Sequence, residues 1–212
     1  DSYGDVDNLL GSGPFKVTEW VPNDHYTLVR NDNYWGEMPI ATSITCRVIP
    51  EGSARTIALE AGEIDVVWSV DPTDCANVES NPDVKLLSQP STGIDYVGMN
   101  TQKEKFSDKR VRQAINYALD KQTFVDTIIE GRGLVANSYI NAAIPGWTDE
   151  VEAYPYDPEK AKELLAEAGY PDGFECSIFV NGDLRTRSAQ ILQAQLADVG
   201  IKVDISTYEW GA

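Results

Sequence analysis

Apolar and polar residues alternate over short runs in the first half of the chain, and these runs are rich in β-branched and aromatic side chains. This period of two predicts strands at residues 15–20, 25–30, 43–49, 64–70, 84–87 and 94–99. The turn-forming residues Pro22, Asn23 and Asp24 separate the first two runs and predict a hairpin. Two short helices are predicted between strands, one from Ser53 to a stop at Gly62 and one over residues 71–81.

Helical spacing dominates the second half. After a cap at Ser107 or Asp108, apolar residues recur with the spacing of a core-facing helix at Val111, Ala114, Ile115, Ala118 and Leu119. Three further helices are predicted over residues 120–129, 157–169 and 184–199. Pro158 and Gly169 mark the beginning and the end of the second of these. Residues 131–156 show no period and are predicted to form a long loop.

Strands are expected on both sides of the last helix, at residues 176–180 and 201–205. A strand, a helix and a strand joined by short links predict a right-handed crossover between parallel strands. The composition changes from strand-rich to helix-rich near Asn100. The predicted fold is therefore mixed α/β in two pieces, residues 1–99 and 100–212.

Charge and cysteine content narrow the range of partners. The formal net charge of −17 repels phosphate backbones and anionic lipids, so we expect neither nucleic acid nor a membrane surface as a partner. There is no apolar run near 18 residues that would predict a membrane span. Cys46, Cys75 and Cys176 are too scattered for a disulfide framework or a metal site. Cys46 and Cys75 are the most plausible pair if a bridge forms.

The residues that enzymes use for nucleophilic or metal chemistry are scarce. His25 is the single histidine and lies in a predicted turn, where an exposed structural residue is the simplest interpretation. No nucleophile, phosphate-loop or dinucleotide motif occurs, and neither a cofactor nor a metal is predicted. Five Trp and ten Tyr against five Phe favour a binding protein, because these side chains suit recognition clefts as well as cores. We therefore expect no catalytic activity.

Eight short motifs, in order along the chain, resemble the family 5 solute-binding proteins, the peptide, dipeptide and nickel receptors of ABC importers. They are GSGPF at 11–15, EWVPN at 19–23, RNDNYWG at 30–36, ALEAGEID at 58–65, MNT at 99–101, FSDKRVRQA at 106–114, YDPEKA with LLAEAGY at 156–170, and YEW at 208–210. Each motif alone is unspecific, but their order and spacing over almost the whole chain identify it as similar to the middle of these longer receptors.

This resemblance implies a fold of the type II periplasmic-binding-protein class, with portions of two lobes built from mixed sheets and flanking helices. Residues 1–99 would belong to lobe I and residues 100–212 to the opposite lobe, with a crossing near Asn100. The implied function is capture of a peptide or related small solute by closure of the lobes, followed by delivery to the membrane permease of an ABC importer. The protein is then expected outside the cytoplasm, in a periplasm or lipid-anchored at the cell surface, as a monomer. Its signal segment would be removed or lie outside this chain.

Candidate ligand-binding residues follow from the same resemblance. The segment before the last helix matches a place where related receptors put a polar or basic residue, and Arg185 or Arg187 could pair with a ligand carboxylate. Trp210 matches a tryptophan that borders the cleft. The remaining candidates face the cleft on the same alignment, and they are Asn181, Asp183, Trp68, Thr92 and Gly93. For both arginines, an ordinary surface position at a helix start is the alternative.

Two other functions are compatible with these residues. One is an extracytoplasmic sensor that presents a ligand to a signalling partner through the same fold. The other is a secreted hydrolase with a pair of carboxylates, for which 34 Asp and Glu residues offer many chance pairs.

Overall fold

The computed structural model describes residues 6, 9 and 11–208. These residues fall into two units, Asp1–Lys85 and Leu86–Ala212. The predicted assignment of residues 1–99 and 100–212 to opposite lobes concerns the complete protein and stays a prediction.

Three antiparallel strands form the sheet of the first unit. They are β1 (Phe15–Val21), β2 (His25–Arg30) and β3 (Ser43–Arg47), in the order β1-β2-β3. The hairpin between β1 and β2 turns at Asn23, whose φ of 62° lies in the left-handed region that asparagine tolerates. These three strands and the hairpin confirm the predictions from the alternating pattern.

Two helices follow the sheet and confirm the predicted pair, namely α1 (Gly52–Glu60) and α2 (Pro72–Ser80). Thr56 in α1 is buried, and its hydroxyl donates to Asp74 of α2 over 3.2 Å. Cys75 lies buried in α2 and its Sγ donates to the carbonyl of Asp71. No disulfide joins Cys75 to Cys46, so the bridge that the spacing allowed is absent.

A buried asparagine organises the turn after β2. The Asn31 side chain donates from Nδ2 to the carbonyl of Gly13 over 3.1 Å and accepts from the Asn33 N–H over 3.2 Å. Its backbone N–H donates to Pro14, and its carbonyl accepts from the Tyr34 N–H. The motif at residues 30–36 is therefore accounted for by local structure.

Replacing Asn31 with alanine is expected to destabilise the first unit by about 1–3 kcal/mol, because the buried Asn31 side chain no longer bonds to the Gly13 carbonyl and the Asn33 N–H. Urea unfolding of the complete protein, followed by hydrogen exchange in β1 and β2, would measure the loss. Asn33→Ala is the matched control, since Asn33 is exposed and should change stability by no more than about 0.5 kcal/mol. Equal effects of the two substitutions would contradict the role of Asn31.

His25 at the start of β2 lies between two carboxylates. Its Nδ1 is 2.8 Å from Asp24 Oδ2 and its Nε2 is 3.2 Å from Glu19 Oε2. The hydrogen bonds with Asp24 and then with Glu19 raise the pKa of His25 above its usual 6.5. Desolvation of the ring opposes this effect. Arg47 is the cross-strand neighbour of His25 in β3.

The raised pKa of His25 makes the hairpin sensitive to pH. The protonated ring stabilises the fold fully below the unfolded-state pKa of about 6.5, and this contribution is lost as the pH rises through the folded-state pKa. We therefore expect the stability difference between the native protein and His25→Gln to shrink on going from pH 6 to pH 8.5. An NMR titration of the His25 ring measures the pKa directly, and Glu19→Gln should lower it. A native pKa below 6.5 would refute the interpretation.

Three of the predicted strands are wrong. Residues 64–70, 84–87 and 94–99 form no strand in the described part of the chain, and residues 64–70 and 94–99 make no backbone–backbone hydrogen bond there. Trp68, Leu87 and Tyr96 are 88%, 78% and 82% exposed. The physical reason is that a strand needs a neighbour for its N–H and C=O groups, and no described segment takes that place.

The second unit is built from five helices and two strands within its described residues. They are α3 (Glu104–Ser107), α4 (Lys109–Ala118), α5 (Lys121–Ile128), α6 (Pro158–Glu167), β4 (Phe174–Val180), α7 (Asp183–Ala197) and β5 (Ile201–Thr207). β4 and β5 are parallel and α7 connects them, as the βαβ pattern predicts. The short helix α3 was not predicted, because four residues carry no readable period.

The core of the second unit collects the predicted apolar positions of its helices. α4 packs against α6, and α7 packs against β5. The buried cluster comprises Val111, Ala114, Ile115, Ala118, Leu119, Ala161, Leu165, Leu192, Leu196, Val199, Ile201 and Val203. Aspartates cap three of the helices as expected, at residues 108, 120 and 157.

Two arginines of the motif at residues 106–114 bind helix ends. Arg110 pairs with Asp108 over 2.6 Å and donates to the Glu167 carbonyl at the end of α6. Arg112 donates to the carbonyls of Phe106 and Ser107 at the end of α3. Both contacts satisfy carbonyls that a helix end leaves open, so this motif has a structural explanation.

The predicted long loop at residues 131–156 is confirmed as irregular. Lys121 ties it to the helices, because its Nζ donates to the carbonyls of Asn116 and Tyr154, each over 3.0 Å. Burial lowers the pKa of Lys121. Within the described part of the chain, no helix has the length and apolar character needed to cross a membrane.

Candidate ligand-binding site

The carboxyl end of β4 is the place where the second unit presents polar side chains. β4 ends at Val180, and α7 begins after Gly182, whose carbonyl accepts from both the N–H and the hydroxyl of Thr186. Gly182 has a φ of 74°, which a residue with a Cβ would resist. In open α/β sheets, ligands bind outside the carboxyl ends of parallel strands. This edge is therefore the first place to look for a site.

Four predicted residues lie at this end of α7 or directly before it, and they are Asn181, Asp183, Arg185 and Arg187. Arg185 donates from Nη1 to Asn181 Oδ1 over 3.2 Å. Among the described residues, no carboxylate lies within ion-pair distance of either arginine, and both are exposed. Asp183 occupies the first turn of α7, where the helix dipole stabilises a carboxylate. Two guanidinium groups thus keep donors that could bind a carboxylate.

An exposed aromatic pair lies at the same end of the strands and was not among the predicted site residues. Phe179 and Tyr208 are 67% and 51% exposed, and their rings meet edge to face at 5.3 Å between centroids. The Tyr208 N–H donates to the Val180 carbonyl. The signal was present in the alternation of β4, which places Phe179 on the same exposed face as Glu175 and Ser177. A large aromatic residue on a polar face suggests a contact with something outside the unit.

The predicted loop at Thr92 and Gly93 is a second exposed feature of the same unit. The Gly93 N–H donates to Ser91 Oγ over 2.8 Å. Asn141, from the long loop, donates from Nδ2 to the Ser91 carbonyl over 2.9 Å and to the Gly93 carbonyl over 3.1 Å. This asparagine is half-buried, and the sequence did not suggest it as a site residue.

Two predicted residues remain, Trp68 and Trp210. Trp68 belongs to the first unit, next to Ser69, whose carbonyl accepts from Arg55. Trp210 lies outside the described residues. The structure joins Arg185 to Asn181 by a hydrogen bond. The contribution of all the predicted residues to a shared site stays a prediction.

The described residues provide little for covalent chemistry. Burial raises the pKa of the Cys176 thiol, so it stays protonated and weakly nucleophilic. Both ring nitrogens of His25 are engaged with carboxylates. No group of three or more His, Cys, Asp or Glu side chains is arranged for a metal ion within the described part of the chain. The exposed guanidinium groups of Arg185 and Arg187 are suited to binding an anion.

Comparisons with known proteins agree on one family. The family model for bacterial extracellular solute-binding proteins, family 5 Middle, matches residues 1–212. Heme-binding protein A of Haemophilus influenzae is 36% identical over 208 residues, which cover 95% of this chain. The dipeptide-binding protein of Escherichia coli is 33% identical over 211 residues, which cover 96% of this chain. Among solved structures, the periplasmic binding protein DppA from Helicobacter pylori, in complex with the peptide STSA, has a TM-score of 0.86 at 35% identity over 95% of this chain.

The relatives are much longer than this sequence. The chain spans 38% of the Haemophilus protein, 39% of the Escherichia protein and 39% of the Helicobacter chain. The expected fold class is confirmed, since the structural neighbours are periplasmic binding proteins and the described units combine helices with antiparallel and parallel sheets.

Proposed function

Because this chain belongs to the bacterial extracellular solute-binding proteins of family 5, we propose that it is part of the substrate-binding component of an ABC importer that captures peptides. The complete protein would bind its solute outside the cytoplasm as a monomer. It would close its two lobes around the solute and deliver it to the membrane permease. Its role would be binding and not catalysis.

The observation that carries this proposal is that two exposed arginines without a described carboxylate partner and an exposed aromatic pair lie at the same end of the parallel strands. Arg185 and Arg187 lie in the first turns of α7, which follows the carboxyl end of β4, and Phe179 and Tyr208 lie at the carboxyl ends of β4 and β5. A peptide has a terminal carboxylate at all physiological pH values, and guanidinium groups bind carboxylates through two parallel hydrogen bonds. The aromatic faces would accommodate side chains of many kinds, as a peptide receptor requires.

The ligands of the relatives favour a peptide over heme as the solute of this protein. The Escherichia relative is a dipeptide-binding protein and the Helicobacter structure holds a peptide, whereas the Haemophilus relative is a heme-binding protein. Heme propionates could also pair with Arg185 and Arg187, but heme iron usually takes an axial His, Met, Cys or Tyr ligand. The single histidine of this chain is engaged with Asp24 and Glu19, so a bound heme would need a Met, Cys or Tyr ligand if the axial ligand came from this chain. A peptide needs no such ligand.

The experiment is to identify what the complete protein binds. Native mass spectrometry of the freshly purified protein would show any retained solute. Calorimetry with Met-Leu, Ser-Thr-Ser-Ala, glutathione and hemin would then rank the classes. We expect at least one peptide to bind with micromolar affinity or better and hemin to bind more weakly. Binding of hemin alone, or turnover of a peptide with release of its fragments, would overturn the proposal.

A further inference from the structure

The Ser91–Thr92–Gly93 turn is fixed by the side chain of Asn141, which lies 50 residues away in the long loop. Both amide hydrogens of Asn141 are used, one on the Ser91 carbonyl and one on the Gly93 carbonyl. Its Oδ1 accepts from the Ala143 N–H over 2.9 Å. The hydroxyl of Ser138 donates to the Ile140 carbonyl and accepts from the Ile140 N–H, so the segment before Asn141 is also held. Asn141 is thus a fully bonded clamp between two segments.

The bonds across this turn leave a regular set of backbone groups available. In the peptide group between residues 91 and 92, the Ser91 carbonyl accepts from Asn141 and the Thr92 N–H remains open for a further hydrogen bond. In the next peptide group, the Gly93 N–H donates to Ser91 Oγ and the Thr92 carbonyl remains open. In the third, the Gly93 carbonyl accepts from Asn141 and the Ile94 N–H remains open. No described residue bonds to these three open groups, and Thr92 is exposed.

We propose that Asn141 is a positioning residue that presents the Thr92 backbone to the main chain of a bound peptide. This inference rests on the proposed function. A peptide backbone supplies one carbonyl and one N–H per residue, which are the complements of the open Thr92 N–H and carbonyl. The clamp orders the turn before the ligand arrives, so less conformational entropy is lost on binding.

Asparagine is the side chain that this clamp requires. It offers two donors and one acceptor on a short stem, and all three are used. Aspartate has nearly the same shape but would turn a carboxylate oxygen toward the Ser91 and Gly93 carbonyls. Asn141→Asp should therefore release the turn while changing the packing very little.

The test uses the complete protein and the tightest-binding peptide of the panel Met-Leu and Ser-Thr-Ser-Ala. Each peptide amide is replaced in turn by an ester, which removes one N–H donor. In the native protein, one ester should bind about tenfold more weakly, because it cannot donate to the Thr92 carbonyl. Asn141→Asp should weaken binding of the unmodified peptide about tenfold. In that variant, the same ester should bind almost as tightly as the unmodified peptide.

The controls separate this role from a general loss of structure. Asn137→Asp makes the same change in the same loop, at an exposed residue that bonds to no described residue, and should alter affinity less than twofold. Asn141→Ala removes both donors without adding a charge and should weaken binding as Asn141→Asp does, and it decides the question if Asn141→Asp does not fold. If the losses of affinity caused by Asn141→Asp and by the ester were additive, or if Asn141→Asp caused no loss, the inference would be overturned while the proposed function would stand. Failure of the native protein to bind any peptide of the panel would overturn the proposed function and the inference with it.

Discussion

Alanine in place of Gly173 is expected to destabilise the second unit by about 3 kcal/mol, from a left-handed backbone penalty and an overlap of atoms. Gly173 has a φ of 76° directly before β4, and a Cβ there would overlap the backbone carbonyl of Gly200, which directly precedes β5. Gly200 itself has a φ of 88° and faces the Asp172 carbonyl. The two parallel strands begin at this contact, so neither backbone can retreat without disturbing the β4–β5 pairing.

Gly169→Ala is the matched control for this prediction. Gly169 follows the end of α6 with a φ of 93°, but a Cβ there would meet open space. Gly169→Ala should therefore be destabilised only by the left-handed backbone penalty of about 1–2 kcal/mol. Hydrogen exchange of the β4 and β5 amides in the complete protein reports the local opening free energy. If Gly173→Ala and Gly169→Ala lowered the opening free energy equally, the structure would relieve the overlap at Gly173 without a loss of stability.

Gly173 also illustrates what the sequence could not predict. The helix caps at Asp108, Asp120 and Asp157 depend on neighbours two or three residues away, so local patterns predicted them. The approach of Gly173 to Gly200 joins two turns across a whole βαβ unit. A glycine before a strand is common, and nothing in its neighbours indicates which one touches another backbone.

The strands that were wrongly predicted also depend on contacts with distant parts of the chain. Residues 64–70 have the apolar, β-branched composition of a buried strand, yet Val66 and Trp68 are exposed. Composition describes what a segment would do beside a partner, and the partner is a tertiary property. The prediction of β2 was correct because its two partner strands, β1 and β3, come directly before and after it in the chain.

Prediction of the candidate site was uneven for a related reason. Asn181, Asp183, Arg185 and Arg187 are close in sequence, so a helix that starts at residue 183 places all four near one end of α7. Tyr208 meets Phe179 only because β5 is parallel to β4 and in register with it. Asn141 meets Ser91 through a long loop without a period, and no pattern could have indicated that contact.

Removing the two guanidinium groups at the start of α7 is expected to weaken peptide binding by the largest factor of any surface change. In the complete protein, Arg185→Ala with Arg187→Ala should lower the affinity for Ser-Thr-Ser-Ala about 10- to 100-fold, the value of one or more hydrogen bonds to a charged group. The affinity for the C-terminal amide of the same peptide should fall much less, because the amide has no carboxylate for the arginines to bind. Calorimetry with the acid and the amide on both proteins measures the difference.

The acid–amide comparison separates a direct contact from the loss of two positive charges in an acidic protein. Lys160→Ala with Lys162→Ala makes the same change in net charge on α6, where both lysines are exposed and pair with glutamates of their own helix. That variant should affect acid and amide alike and only slightly, because it changes the net charge without removing a predicted ligand contact, and salt screens the long-range effect of charge. If the arginine variant weakens acid and amide equally, the arginines do not bind the carboxylate. The exposed guanidinium groups would then be ordinary surface residues at a helix start, and Phe179 and Tyr208 would be the next residues to test.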